Sequence, residues 1–280
     1  MSECFQCTKI SQDIISDVAL SSAEKDFNQL MTILPQGVYT TFRTYKHDHV
    51  IHLREQFERL EESAAINGIT VKINRELVRE VMRRMVEVRP EEEIRLRIWL
   101  DLSANVGDIY VISEQLQRPS AQEYAEGVRV ATIQAERDNP KSKSSSFLSK
   151  AESLRKLSSG HVHETIMVSP EGTLLEGLSS NFFAIKDGIV WTEYEHVLDG
   201  ITRRDALHVI SKLGLSIQPI GINLEMVPKI QEAFISSASR GILPVVKINS
   251  IQVGDGKVGN IVKAITAEYE KLIDSLVKPI

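Results

Sequence analysis

The spacing of apolar residues along the first third of the chain predicts a mixture of strands and helices. Val38–Tyr45 is rich in β-branched and aromatic residues, which is typical of a β-strand. Arg54–Ile66 and Asn74–Val88 carry apolar residues at helical spacing, and each is followed by residues that commonly end a helix. Ile94–Leu100 alternates apolar residues with two arginines and a tryptophan, so we expect a strand with one apolar face.

The rest of the chain is dominated by short apolar runs separated by turn residues. Gln115–Ala125 is polar and contains Pro119, which favours an interdomain linker. Beyond it we expect helices at Ser146–Leu157, Arg203–Leu213 and Ile261–Leu276, and strands at Val128–Ile133, His163–Val168, Ile189–Thr192, Ser216–Ile222, Ala233–Ser237 and Val245–Ile248. The pattern predicts a mixed α+β chain with a small N-terminal α/β domain at 1–114, a linker at 115–125 and a larger C-terminal domain at 126–280.

Composition argues against several classes of function. The net charge of −5 gives no electrostatic reason to expect a nucleic-acid partner. No apolar run approaches the ~20 residues that span a bilayer, and the first residues do not resemble a signal peptide, so we expect a cytoplasmic protein without a membrane partner. Cys4 and Cys7 form a C-x-x-C, but a closed zinc site needs a second pair of ligands. We therefore expect no metal and interpret the cysteines as thiols in a reducing cytosol.

Two lysines and one glutamate are candidates for chemistry. In NPKSKSSSF (139–147), Lys141 and Lys143 offer amines that could form an imine, provided that burial or nearby positive charge keeps part of the amine neutral. Glu176, in LEGLSSN (175–181), could hold a protonated pyridine nitrogen and so make the ring an electron sink. Taken singly, each of these residues is more often an ordinary surface residue.

Three further features could bind a phosphate. GITR (200–203) opens a predicted helix, whose first N–H groups lack intrahelical partners and attract anions. The serine-rich run at 236–239 could add hydroxyl and main-chain donors to the same anion. Arg59 could be a bidentate phosphate ligand. An ordinary capped helix and a surface arginine are the simpler interpretations of the first and last features.

The order and spacing of these motifs resemble those of the PLP-dependent fold type IV family, the class IV aminotransferases. That family includes branched-chain and D-amino-acid aminotransferases and 4-amino-4-deoxychorismate lyase. The resemblance covers roughly residues 36–270 and rests on GVYTTFRTY (37–45), LREQFERLEESA (53–64), NPKSKSS (139–145), HETIMVSPEGTLLEGLSSNFF (163–183), VLDGITR (197–203), ASRGILPV (238–245) and GKVGN (256–260). It implies a two-domain α+β fold with a barrel-like β core in the larger domain, pyridoxal 5'-phosphate (PLP) as the cofactor, and a homodimer.

The resemblance also implies roles for individual residues. The lysine that forms a Schiff base with PLP falls on Lys143, with Lys141 as the runner-up. Glu176 matches the carboxylate at the pyridine nitrogen, and Leu198 matches the residue that packs near the ring. The phosphate ligands fall on Arg59, on Ile201 and Thr202 at the helix start, and on Ser237, Ala238 and Ser239 in the second turn.

The chain departs from the family pattern where the substrate would bind. Tyr39-Thr40 replaces a Phe-Glu pair, Ser146-Phe147 stands where an Asn-Tyr pair is usual, and Arg240 replaces a small residue. Arginine binds carboxylates in a bidentate manner, so substrate contacts are expected among the arginines and a tyrosine near the implied active-site wall. These candidates are Tyr39, Arg43, Arg97 and Arg240.

The expected reaction is the transfer of an amino group between an amino acid and a 2-oxo acid through a lysine Schiff base. A branched-chain or other aliphatic amino acid is the first expectation, and a D-amino acid is an alternative. A second alternative is 4-amino-4-deoxychorismate lyase activity, which releases pyruvate without a 2-oxo acid acceptor. A non-enzymatic protein that retains the fold is disfavoured because the lysine and carboxylate positions are both filled.

Overall fold

The computed structural model describes residues 5–20, 27–89, 92–158 and 162–280. The helices are α1 (Phe27–Leu30), α2 (Leu53–Ile66), α3 (Arg75–Glu87), α4 (Ala121–Glu126), α5 (Ser146–Leu157), α6 (Ile201–Lys212) and α7 (Asn260–Leu276), and a short 3-10 helix spans Leu224–Lys229. The strands are β1 (Phe5–Ser11), β2 (Ile14–Asp17), β3 (Gly37–Arg43), β4 (His49–Val50), β5 (Ile94–Asp101), β6 (Ile109–Gln115), β7 (Val128–Gln134), β8 (Glu164–Val168), β9 (Leu174–Gly177), β10 (Asn181–Lys186), β11 (Ile189–Trp191), β12 (Ile217–Gln218), β13 (Glu232–Ser237), β14 (Gly241–Ile248), β15 (Ile251–Gln252) and β16 (Lys278–Pro279).

The chain divides into two compact units, neither of which is continuous in sequence. Unit 1 comprises Met1–Gln117, Ser142–Phe147 and Leu276–Ile280, and unit 2 comprises Arg118–Lys141 and Leu148–Ser275. The domain ranges expected from the sequence, 1–114 and 126–280, were each continuous. They place residues 142–147 and 276–280 in the C-terminal domain, whereas these residues belong to unit 1. The segment expected to be a linker, 115–125, contains the end of β6 and most of α4.

Unit 1 is an antiparallel sheet with helices packed on one face. The strand order is β2-β1-β6-β5-β3, and a separate two-stranded pair joins β16 to β4. Apolar residues at alternate positions of β3 and β5 pack against the apolar stripes of α2 and α3 in a single core, among them Val38, Phe42, Leu96, Ile98, Phe57, Leu60, Val81 and Met82. Directly opposed residues of antiparallel strands share a face. The alternate positions of β3 and β5, which include Tyr39 and Trp99, therefore lie on the opposite face.

Unit 2 is built on a closed sheet. Its path runs β12-β11-β10-β13-β14-β7-β8-β9, and β9 also pairs with β10, so that the strands from β10 to β9 form a ring. Strand β7 lies parallel to both β14 and β8, whereas the other pairs of the ring are antiparallel. Apolar side chains from the ring strands form one buried core, among them Val130, Ile166, Phe182, Ile235, Leu243 and Val245. This arrangement confirms the mixed α+β class and the barrel-like β core.

Several local expectations need correction. Residues 1–35 show only a weak sequence pattern, yet the described part of them contains β1 and β2, which pair with each other and extend the unit 1 sheet. The sequence also suggests a helix at Ser21–Leu34, which lies partly outside the described residues. Within the described part of that segment, only Phe27–Leu30 is α-helical. The strand expected at Ser216–Ile222 is reduced to Ile217–Gln218, because only these two of its residues form ladder pairs with a neighbouring strand, β11.

The described residues also bear on the cysteines, the membrane and the metal. Cys7 is buried in β1, and burial, with a smaller effect of Asp17, raises the pKa of its thiol to about 12. Cys4 lies outside the described residues. No helix in the described part of the chain is long and apolar enough to cross a bilayer. Within the same ranges, no group of three or more His, Cys, Asp and Glu side chains is arranged to hold a metal ion.

Candidate active site

Lys143 lies on a segment of unit 1 that runs beside the edge strand β3. The N–H of Tyr39 donates to the carbonyl oxygen of Lys143 at 3.0 Å, and the N–H of Ser145 donates to the carbonyl oxygen of Gly37 at 2.8 Å. Oγ of Ser145 also accepts a hydrogen bond from the N–H of Gly37 at 2.9 Å, across 108 residues of sequence. These bonds fix the main chain from Lys143 to Ser145 in the way that a short additional strand would.

The side chain of Lys143 lies over an aromatic surface. Its Nζ is 5.1 Å from the ring centroid of Tyr39, and the Tyr39 ring stacks on Trp99 with the centroids 6.0 Å apart. Lys143 is half-buried, whereas both rings are buried. The amine therefore meets an aromatic surface that an apolar ligand could share.

Lys141, the runner-up for the Schiff-base position, is held differently. It belongs to unit 2, and its ammonium group donates hydrogen bonds to the carbonyl oxygens of Tyr194 and Val197. The amine of Lys141 is thus hydrogen-bonded to main-chain carbonyl oxygens of its own unit. Lys143 has a different environment, since its Nζ lies over the Tyr39 ring.

Arg97 is part of a partly buried ion-pair cluster on the face of the unit 1 sheet opposite α2 and α3. Its Nε donates to Glu114 at 2.9 Å, and its guanidinium carbon lies 3.5 Å from the ring centroid of Phe27. Burial lowers the pKa of Arg97, and Glu114 opposes this shift. Arg95 also donates two hydrogen bonds to Glu114, at 2.8 and 2.6 Å, so one carboxylate binds both arginines.

Arg43 is less fully engaged than Arg97. Its Nε and Nη1 are buried without a hydrogen-bond acceptor among the described residues. Glu93 lies 3.6 Å from Nη1, and the ring centroid of Tyr45 lies 4.2 Å from the guanidinium carbon. Oγ1 of Thr41, two residues away on the same face of β3, is also buried without a partner in that part of the structure. Donors of this kind can receive a carboxylate.

Arg59, the expected phosphate ligand of unit 1, is buried on α2 with 8% of its surface exposed. The other expected phosphate ligands, at the start of α6 and in the second turn, belong to unit 2. The role of Arg59 therefore stays a prediction.

Glu176 lies near the end of β9 in unit 2, and its carboxylate is almost fully buried. Nε of Arg137 lies 2.7 Å from Oε1 of Glu176, and the main-chain N–H of Leu198 donates to the same oxygen at 3.1 Å. Nδ2 of Asn181 donates to Oε2 at 3.1 Å. One ion pair and two neutral donors thus stabilise a buried carboxylate in its charged form.

Asn181 links Glu176 to the start of α6. Its Nδ2 also donates to the carbonyl oxygen of Leu198 at 2.8 Å. A Cβ atom at Gly200, the residue before α6, would lie 2.3 Å from Oδ1 of Asn181, so this close approach requires glycine. No side chain caps α6, and the first N–H groups of a helix have no partner within it. Ile201 and Thr202 therefore present main-chain donors, which favour an anion.

Ser236 adds an unsatisfied hydroxyl group close to Asn181. It pairs with Asn181 across β13 and β10, and its Oγ is buried without a hydrogen-bond partner in the described ranges. Buried hydroxyl groups rarely lack a partner unless they bind a ligand or a water molecule. Together with the start of α6, this hydroxyl group fits a bound phosphate. Ser237, Ala238 and Ser239 follow directly and are half-buried.

Arg240 contacts three residues of unit 2 that the sequence did not connect with it. Its Nε donates to Oγ of Ser237 at 2.9 Å, and its Nη2 donates to Oε2 of Glu164 at 2.9 Å and to Oγ of Ser179 at 2.9 Å. Burial alone would raise the pKa of Glu164, but Arg240, Ser179 and the N–H of Thr165 outweigh it, and the pKa is lowered. The expected contact of Arg240 with substrate stays a prediction.

Comparison with known proteins identifies the family. Residues 37–248 match the model of the amino-transferase class IV family. The chain belongs to this family. A D-alanine aminotransferase of Staphylococcus aureus is 26% identical over 277 residues, covering 92% of this chain and 95% of the relative. A branched-chain-amino-acid aminotransferase of Pseudomonas aeruginosa is 25% identical over 265 residues, covering 85% and 84%.

Solved structures of class IV aminotransferases share the fold. The branched-chain amino acid aminotransferase of T.th., solved with pyridoxamine 5'-phosphate, superposes with a TM-score of 0.74 at 18% identity, covering 98% of both chains. The Escherichia coli enzyme has a TM-score of 0.73 at 20% identity, covering 96% of this chain and 94% of the other. The chain is thus a PLP-dependent aminotransferase of class IV, which confirms the expected family, cofactor and general reaction. The relatives include D-alanine and branched-chain enzymes, so they leave the substrate open.

Three residues with buried side chains were missed by the sequence analysis of this class IV aminotransferase: Arg137, Glu164 and Asn181. Arg137 and Asn181 both contact Glu176, and Glu164 binds Arg240. Asn181 had a detectable signal, since it follows the serine turn in the motif quoted for the resemblance. Glu164 lies in the same motif (163–183), although a single glutamate there does not reveal Arg240 as its buried partner. Arg137 lies outside the quoted motifs and had no signal, because an isolated charged residue does not reveal a buried partner far away in sequence.

Proposed function

We propose that this aminotransferase moves the amino group of an aliphatic amino acid to a 2-oxo acid, with Lys143 as the residue that binds PLP covalently and transfers the proton. The observation that carries the proposal is the position of the Lys143 amine over the Tyr39–Trp99 aromatic pair. An apolar side chain bound beside this amine would gain by covering aromatic surface. That preference favours branched-chain and other aliphatic amino acids over charged ones.

The residues present fit PLP. The uncapped start of α6 and the unpartnered hydroxyl group of Ser236 support a phosphate site in unit 2, to which Ile201, Thr202, Ser237, Ala238 and Ser239 would contribute. Arg59 stays a predicted phosphate ligand. Leu198 would pack near the ring. When bound, PLP supplies a carbonyl carbon that a lysine can hold and a ring that withdraws electrons.

Glu176 would bind the ring nitrogen. Its carboxylate is kept charged by Arg137, the N–H of Leu198 and the amide of Asn181. A charged acceptor in a buried environment stabilises a protonated pyridine nitrogen by a charge-assisted hydrogen bond. The role proposed for Glu176 is therefore to retain that proton throughout the reaction.

Lys143 would move a proton at Nζ. When not bound to PLP, Nζ of Lys143 would accept the proton from Cα of the amino acid and would return it later in the same half-reaction. Hydrogen bonds at Lys143 and at Ser145 hold its main chain in place, which supports a role that requires precise positioning. Removal of this amine therefore removes the base of the reaction.

Recognition of a substrate carboxylate would fall first to Arg43. Its Nε and Nη1 and Oγ1 of Thr41 are buried donors without acceptors among the described residues, whereas Arg97 already binds Glu114. Tyr39 would line the pocket beside Lys143. A homodimer and a cytoplasmic location stay predictions, and light scattering of the purified protein at several concentrations would test the first.

A two-part experiment tests the proposal. In the first part, borohydride reduction of the PLP form followed by peptide mass spectrometry should find the cofactor on Lys143 in the native protein and in Lys141→Ala. Lys143→Ala should carry none, and a stable adduct on Lys141 would contradict the assignment. Lys141→Ala is the matched control, because it removes an amine two residues away.

In the second part, the PLP form is mixed singly with the L and D forms of leucine, valine, alanine and glutamate while its absorbance is followed. Aliphatic amino acids should convert the cofactor fastest. Conversion only by D-alanine, or release of pyruvate from 4-amino-4-deoxychorismate without an acceptor, would assign the chain to one of the alternative activities instead.

A further inference from the structure

Arg240 stands at the end of the second phosphate turn of unit 2, where it connects two separate turns through its side chain. Its Nε bonds Oγ of Ser237, the first residue of that turn. Its Nη2 bonds both Oγ and the carbonyl oxygen of Ser179, at 2.9 and 3.1 Å, in the turn that follows Glu176. One guanidinium group thus joins the phosphate turn to the turn between β9 and β10.

The acceptor between the two turns is the carboxylate of Glu164. Oε2 of Glu164 receives hydrogen bonds from Nη2 of Arg240 at 2.9 Å, from Oγ of Ser179 at 2.7 Å and from Oγ of Ser180 at 3.0 Å. The N–H of Thr165 donates to Oε1 at 3.0 Å. The side chain is 3% exposed. A buried carboxylate with this many donors fixes the positions of the groups that bind it.

The main chain of Arg240 is held as well. The phenol of Tyr124, on α4, donates to the carbonyl oxygen of Arg240 at 2.5 Å. Gly241 follows with a φ of 63°, a left-handed conformation that favours glycine, and its Cα faces the Tyr269 ring of α7. The turn is therefore fixed at its end by both main-chain and side-chain contacts.

From this network we propose that Arg240 is a positioning residue for the phosphate of PLP. By bonding Ser237 on one side and Glu164 with Ser179 on the other, it holds the Ser237–Ser239 turn in the conformation that presents phosphate donors. The inference rests on the phosphate role proposed above for this turn. It differs from the substrate contact expected from the sequence, because the guanidinium group already binds three partners of its own unit.

The test compares two forms of the cofactor that differ only in the phosphate group. PLP and pyridoxal, which lacks the phosphate, are titrated into the full chain after removal of bound cofactor, and absorbance gives each dissociation constant. In Arg240→Met, the constant for PLP should rise about tenfold, the effect of losing hydrogen bonds to a charged group. The constant for pyridoxal should stay within about twofold of the native value, because the ring contacts are unchanged.

Two further variants separate positioning from a general effect on folding. The double variant Arg240→Met/Glu164→Gln removes the unpaired charge, so its thermal stability should recover toward the native value while its PLP affinity stays low. Arg240→Lys keeps the charge but cannot make the planar set of bonds, so PLP affinity should fall by an intermediate factor. Lys212→Met, which breaks an exposed ion pair with Glu268, is the matched control and should change neither constant.

The outcomes are distinct. If Arg240→Met lowers the affinity for PLP and for pyridoxal equally, Arg240 stabilises the fold and does not position the phosphate. Recovery of PLP affinity in the double variant would lead to the same conclusion. A raised KM for the amino acid with unchanged PLP affinity would support the substrate role and overturn the inference. The cofactor titrations do not depend on turnover, so failure of the aliphatic-substrate proposal would leave this test intact.

Discussion

The carboxylate of Glu176 lies 2.7 Å from Nε of Arg137, and both side chains are almost completely buried in unit 2. A buried ion pair contributes little if it is replaced as a whole, but removal of one partner leaves an uncompensated charge. The pair is therefore expected to fix the charge state and the direction of the Glu176 carboxylate rather than to add much stability.

Arg137→Met should destabilise the protein by about 3–5 kcal/mol, because it removes the cation that pairs with the buried Glu176 carboxylate. The double variant Arg137→Met/Glu176→Gln should recover most of that loss in urea unfolding of the cofactor-free chain. The double variant, which lacks the carboxylate, should bind PLP with a lower fraction of protonated ring, visible in the absorbance spectrum. If the free energy of unfolding of the single variant equals that of the native protein, the ion pair does not stabilise the fold.

Gly200 offers a test of the contact between the start of α6 and Asn181. A Cβ atom there would lie 2.3 Å from Oδ1 of Asn181, so Gly200→Ala must displace the amide that binds Glu176. We expect a loss of about 1–3 kcal/mol from overpacking, together with weaker PLP binding. The measurements are thermal unfolding and cofactor titration.

Gly214→Ala is the matched control for Gly200→Ala. Gly214 lies just beyond the other end of α6 with a φ of 71° and open space around it, so the substitution strains the main chain without a collision. It should lower stability by about 1 kcal/mol and leave PLP affinity unchanged. Equal effects of both variants on PLP affinity would mean that the contact with Asn181 is unimportant.

Sequence patterns predicted much of the fold. The parts that they did not predict depend on contacts between residues far apart in sequence. The helices α2, α3 and α7 could be anticipated because their apolar stripes are local. The pairing of β3 with the segment around Ser144 could not be, since it joins residues more than a hundred positions apart. Closure of the ring through Glu176 and Asn181 was implied only by the family resemblance.

The candidate site shows the same division. Motifs pointed to Lys143 and Glu176, but they could not distinguish the environments of Lys143 and Lys141. In the structure, Nζ of Lys143 lies over the Tyr39 ring, whereas Nζ of Lys141 donates to the carbonyl oxygens of Tyr194 and Val197. No local sequence pattern indicated a role for Arg137, because its partner Glu176 comes next to it only in the folded chain. Long-range charge pairing is therefore the part of the site that the sequence left open.

The ion-pair cluster of unit 1 should affect stability in acid. Burial alone would raise the pKa of Glu114, but Arg97 and Arg95 outweigh it, so the pKa is lowered in the folded protein. The folded state thus binds this proton less readily than the unfolded state, and the stabilisation is present above the ordinary glutamate pKa of about 4.3. This stabilisation should be lost as the pH falls from the ordinary glutamate pKa through the lowered pKa of Glu114 in the folded protein.

Urea unfolding between pH 3 and pH 7 measures this effect. The native protein should lose stability in the acidic part of the range more steeply than Glu114→Gln, which has no proton to bind at this position. Glu62→Gln, at an exposed position of α2, is the control and should follow the native curve. Parallel curves for the native protein and Glu114→Gln would show that the cluster does not contribute to acid stability.

Arg43 gives the sharpest test of substrate recognition. Its Nε and Nη1 are buried without hydrogen-bond acceptors in the described part of the chain, so a substrate carboxylate would satisfy them at little cost in desolvation. Arg43→Met should raise KM for the preferred amino acid about tenfold, as expected for the loss of a charge-assisted hydrogen bond, and should leave PLP affinity unchanged. Arg95→Met removes the arginine directly opposite Arg43 on β5, which already binds Glu114, and should leave KM within about twofold of the native value. An unchanged KM in Arg43→Met would exclude Arg43 from carboxylate binding and direct attention to Arg97.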